Sequence, residues 1–97
     1  MCGADLINAQ LNGALLMKAN LEDADLKGAN LTRAYLGLND LSGANLKNAD
    51  VRYTDLTGTQ MSGAKITGAN FIRALYSGDT ELPSELSITM KSMMIKR

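Results

Sequence analysis

An apolar residue recurs at every fifth position of this chain without a slip. The centres are Leu6, Leu11, Leu16, Leu21, Leu26, Leu31, Leu36, Leu41, Leu46, Val51, Leu56, Met61, Ile66 and Phe71, and Tyr76 follows in the same frame. Large aliphatic residues and Phe make up less than a third of the sequence. An unbroken run of this length by chance is roughly a one-in-ten-million event.

Two further rules run in phase. Two residues before each centre the chain places Ala, from Ala4 through Ala34 and again at Ala44, Ala49, Ala64, Ala69 and Ala74; Asn39, Thr54 and Thr59 are the exceptions. One residue before the centre stands Asp or Asn in most units, as in Asp5, Asn20, Asp25, Asn30, Asn45, Asp50 and Asn70. Gly is frequent two residues after the centre. Met1 and Gly3 fit the same frame, so the pattern is already running at the first residue.

A period of five defines no helical face, because residues five apart on an α-helix sit about 140° apart. It is not the period of two of a simple strand either. It fits a coil whose five-residue units each form one side and then turn. The large centre and the Ala point inward, since a narrow coil has no room for two large side chains per side. Asp, Asn and Gly suit the turn through local hydrogen bonding and permissive backbone angles.

The units Ala24-Asp25-Leu26-Lys27-Gly28, Ala29-Asn30-Leu31-Thr32-Arg33 and Ala44-Asn45-Leu46-Lys47-Asn48 follow the motif A-[D/N]-L-x-x. In this the chain resembles the pentapeptide repeat family over residues 1–78. The resemblance implies an all-β fold, a right-handed quadrilateral β-helix with four pentapeptides per coil. It also implies a bacterial, typically cyanobacterial, origin. Most members of the family have no known biochemical activity, and the best understood ones mimic DNA and bind a type II topoisomerase.

With four units per coil, residues twenty apart stack, and residues 1–78 give about four coils. Residues 79–97 depart from the refrain and are expected to be a tail that either caps the coil or is partly disordered. Pro83 and Ser84 suit the start of a helix with Leu86, Met90 and Met93 on one side. The alternation of Leu86, Ile88 and Met90 equally suits a strand. No comparable cap precedes the first coil, whose Leu6, Leu11, Leu16 and Leu21 are expected to lie open at that end.

Composition removes several function classes. Ten basic and ten acidic side chains cancel, which gives no electrostatic reason to expect nucleic acid, a membrane surface or an acidic substrate. The chain has no His, so the usual acid–base group near neutral pH and the usual hydrolytic triad are both missing. The lone Cys2 has no internal disulfide partner and points to a reducing cytoplasm. No stretch approaches the ~20 apolar residues of a membrane span, and no signal peptide is expected ahead of the first repeat. No cofactor, metal or small-molecule substrate is expected.

The refrain breaks at "AYLGLNDL", residues 34–41. Tyr35 and Leu38 fall on the third side of the coil, with Leu15 and Lys18 stacked below them, Met17 nearby and Leu75 two coils above. Leu15, Met17, Tyr35 and Leu38 together form a candidate interaction surface. The competing reading is that singly exposed apolar residues are common and signify nothing. Asn39 replaces an inward Ala and needs a hydrogen bond, expected to backbone of an adjacent turn.

Three other groups stand out. Arg33, Tyr53 and Arg73 stack twenty apart and suit either a cation–π ladder or three solvated side chains. Asp5 and Asp25, below Asn45 and Lys65, supply too few oxygens for a calcium cage. Cys2 lacks a His to activate it.

The leading expectation is a non-catalytic interaction module, either a homodimer or a partner of another repeat protein. The alternative is a DNA mimic acting on gyrase. A duplex carries one charge per ~1.7 Å of axis, whereas residues 4–78 here carry as many basic as acidic side chains.

Overall fold

In a computed structural model that describes residues 2–97, four parallel ladders run up four sides of one coil. Asp5 bridges Asp25, which bridges Asn45, which bridges Lys65. The second ladder joins Gln10, Asn30, Asp50 and Asn70. The third joins Leu15, Tyr35, Asp55 and Leu75, and the fourth joins Asn20, Asp40, Gln60 and Glu81. Every rung is twenty residues except the last, where one extra residue enters between Gln60 and Glu81. The whole measures 30 × 24 × 24 Å. The frame position of Met1 lies outside the described residues.

Each unit turns the same way. The C=O of Leu6 accepts from the N–H of Ala9 at 3.0 Å, and the C=O of Leu26 accepts from Ala29 at 3.0 Å. The residue two after the centre has positive φ at every unit from Gly3 to Arg73. A four-residue turn with positive φ only at its third residue is type II, which explains the frequency of Gly there. Leu38 takes this conformation at φ 59°, a strain of about 1–2 kcal/mol for a side chain with a Cβ.

The Asp or Asn before the centre has an equally local cause. Its Oδ1 accepts the N–H of the residue two ahead: Asp25 from Lys27 at 3.2 Å, Asn45 from Lys47 at 3.1 Å, Asn70 from Ile72 at 3.0 Å. That N–H points away from the ladder, so a short side-chain acceptor satisfies it.

Between the ladders the centres form the core. Leu21, Leu26, Leu31, Leu36, Leu41, Leu46, Val51, Leu56, Met61 and Phe71 are all fully buried, with Ile66 nearly so. The inward Ala residues from Ala24 to Ala74 are buried beside them. Leu6, Leu11 and Leu16 are half-buried, because the first coil has no described residues beneath it.

The tail covers part of the far end. Strand β1 (Leu75–Tyr76) pairs in parallel with β2 (Ile95–Lys96), Leu75 against Ile95. Between them helix α1 (Ile88–Ser92) starts at Ser87, whose Oγ accepts from the N–H of Met90 at 3.0 Å. The start differs from Pro83–Ser84, and no strand forms over residues 86–90. Ile88 and Met93 are exposed, Leu86 and Met90 are half-buried, and Met94 is the tail's buried apolar anchor.

Candidate functional site

The inward polar residues come first, because one of them sits in the break of the refrain. Thr54 Oγ1 donates to the C=O of Leu31 at 2.7 Å, and Thr59 Oγ1 to that of Leu36 at 2.9 Å. Thr80, past the extra residue, does the same to Leu56 at 2.9 Å. Each hydroxyl thus shares a carbonyl that already closes a turn one coil below. Asn39 Nδ2 makes the equivalent bond to Leu16. Its Oδ1 is buried and has no partner among the described residues. Leaving such an acceptor unmade costs about 1–3 kcal/mol. Asn39→Thr keeps the donor and removes the orphan. It should raise stability by about 1 kcal/mol, a rise of about 4–8 °C in Tm for a domain of this size. A circular dichroism melt checks this; a lowered Tm contradicts it.

The four sides differ at the residue before the centre. On the first, second and fourth sides that position is polar throughout. On the third it reads Leu15, Tyr35, Asp55 and Leu75, and the tail extends the column to Ile95. Leu15, Tyr35 and Leu75 give up the Asp/Asn turn bond that other units make. Leu15 is 73% exposed, Met17 55%, Tyr35 46% and Leu38 59%. The one acidic member of the column, Asp55, is covered by Arg97, with Nη1 3.7 Å from Oδ2. Leu38 leans along the side, and a Cβ added to Gly58 would lie 2.7 Å from its Cδ2.

Ile95 was not singled out in the sequence. The twenty-residue frame points to it from Leu75, but the tail carries none of the Ala or Asn markers that show the frame continuing.

Elsewhere the polar groups are engaged in turns. Asp5 Oδ1 accepts from Ile7 N–H at 3.2 Å, and Asp25 is used as above. Asp50 pairs with Arg52 at 2.6 Å, and that guanidinium holds its carboxyl below the ordinary carboxylate range. The N–H and hydroxyl of Ser42 lower Asp40 likewise. Among the described residues no cluster of three or more acidic, Cys or His side chains forms. The Arg33 guanidinium lies 5.3 Å from the centre of the Tyr53 ring, while Arg73 makes no such contact. Cys2 is exposed and unpaired.

The pentapeptide repeat profile matches residues 1–36 and 40–75 in eight copies. The chain belongs to the pentapeptide repeat family. The unmatched gap at residues 37–39 falls within the break of the refrain. No curated protein matches the chain significantly. Among solved structures, this pentapeptide repeat protein is similar to alr5209, a pentapeptide repeat protein from Nostoc Pcc 7120. The two are 27% identical with a TM-score of 0.51, over 96% of this chain and 84% of that one. It is likewise similar to a pentapeptide repeat protein from the Arabidopsis thaliana thylakoid lumen, at 28% identity and a TM-score of 0.51. That match covers 95% of this chain and 70% of the other.

Proposed function

We infer that this pentapeptide repeat protein is a non-catalytic association module, a right-handed quadrilateral β-helix of about four coils that docks through its third side. Its simplest partner is a second copy of itself, as a symmetric dimer; another repeat protein with a matching side is the same interaction in a different pairing. The observation that carries this reading is the exposed apolar cluster of Leu15, Met17, Tyr35 and Leu38 on the lower part of that side, below the Asp55–Arg97 pair. A surface that gives up the local turn bonds at Leu15 and Tyr35 to display neighbouring apolar side chains favours contact with another chain. The half-buried Leu6, Leu11 and Leu16 offer a second apolar surface, at the open coil end.

Catalysis has no support in the side chains: no His occurs, and Cys2 stands alone. An exposed thiol suits a reducing cytoplasm. DNA mimicry is disfavoured by the balance of charge. In a gyrase supercoiling assay, micromolar protein should leave the rate unchanged; potent inhibition contradicts this reading. Association is tested by sedimentation equilibrium, where the mass should lie near twice 10.4 kDa at micromolar concentration.

A further inference from the structure

The tail leaves one stretch of the last coil's edge unpaired. On the fourth side Glu81 completes the ladder, its C=O accepting from Met61 N–H at 2.8 Å and its N–H donating to Thr59 C=O at 2.9 Å. On the third side the chain returns to the edge, with Arg73 N–H donating to Met93 C=O at 2.8 Å and Ile95 N–H to Ala74 C=O at 2.9 Å. Between these points it lifts away and forms α1. A cleft of about 600 Å³ opens beneath it, between Ile66, Phe71 and Ile72 of the coil and Leu86 and Met90 of the tail.

The floor of this cleft is a strand edge. The N–H groups of Gly68 and Phe71 have no acceptor among the described residues, and the carbonyls of Ala64 and Ala69 have no donor. Ile66 N–H has only Glu85 Oε1, at 3.4 Å. One coil lower every equivalent group is paired. Leu46 N–H donates to Lys65 C=O at 2.7 Å, Asn48 to Thr67 at 3.0 Å and Val51 to Asn70 at 2.8 Å. Lys65 N–H donates to Ala44 C=O at 2.9 Å, and Asn70 N–H to Ala49 C=O at 3.0 Å.

We propose that this edge binds an extended peptide segment of a partner protein as one further parallel strand. The coil below supplies the template. The segment's first residue pairs as Lys65 does, its third as Thr67 does and its sixth as Asn70 does. Its second residue then lies over Ile66 and its fifth over Ala69, as those residues lie over Leu46 and Ala49. The second is therefore large and apolar, and the fifth small. Backbone pairing gives affinity, and the two inward positions give specificity. A complete coil of a second copy does not fit, because Glu81 and Ile95 already occupy the edges of the fourth and third sides. A single segment does, once Leu86 and Met90, which pack over Ile66, Ala69 and Phe71, swing aside with the tail. This site lies on the first and second sides, apart from the apolar column.

The test is an amide-resolved NMR titration of the full chain with the acetylated, amidated hexapeptide Thr-Leu-Thr-Gly-Ala-Thr. Saturable shifts centred on the Gly68 and Phe71 amides are expected, with slowed exchange of both protons. N-methylation of the sixth residue removes its donor to Ala69 C=O and should weaken binding about tenfold or more. Asp in place of the peptide's Leu should abolish it. Both changes are in the peptide, so the protein's folding is untouched. No shift at Gly68 and Phe71 up to millimolar peptide, or equal binding by the N-methylated peptide, overturns the proposal.

Discussion

Leu46→Asp should remove most or all of the stability of the fold at room temperature. Leu46 is 1% exposed and sits in a column between Leu26 and Ile66. Nothing in that column offers a charge or a hydrogen bond to a carboxylate. Burying an unpaired charge there costs more than about 4 kcal/mol, against roughly 5–10 kcal/mol of total stability for a domain of this length. Leu38→Asp, eight positions away, is the control. That side chain is outside the coil, and Asp tolerates positive φ better than Leu does. Its effect on the dilute monomer should lie within about 0.5 kcal/mol. Circular dichroism melts of the two variants should differ sharply; equal loss would mean that the inward and outward positions are misassigned.

The second large effect concerns association. A Tyr35→Asp, Leu38→Asp double variant places two like charges on the third side of each copy. In a symmetric dimer through that side they meet their own equivalents, at a cost of several kcal/mol. The sedimentation mass should fall from near twice 10.4 kDa to 10.4 kDa, with the circular dichroism spectrum unchanged. A mass that stays doubled would move the contact to the open coil end at Leu6, Leu11 and Leu16.

The body of the coil was legible in the sequence because its causes are local. A period of five with Ala two residues before each centre already says which side chains face in. The Asp or Asn before the centre is explained by a bond to an N–H two residues ahead, a distance that sequence alone displays. The inward polar residues were legible only in part. Asn39 was expected to bond backbone of an adjacent turn and does, but only coordinates show its Oδ1 left over. The far end was the least legible. One extra residue between Tyr76 and Glu81 shifts the frame, and no refrain marks where it resumes. Ser87 caps the helix in place of Ser84, because the chain must first turn away from the edge at Pro83. Met94 and Ile95 then rejoin the coil through contacts twenty residues distant, which no local pattern records.

The most direct measurement replaces Leu38 with the photo-crosslinker p-benzoylphenylalanine. Irradiation of the purified protein at micromolar concentration should give a covalent band near twice 10.4 kDa. Mass spectrometry of the digested band should place the bond on the segment 14–38 of the second copy, where Leu15, Met17, Tyr35 and Leu38 lie. A product confined to 10.4 kDa, or a bond mapping only to the open coil end, contradicts association through the third side.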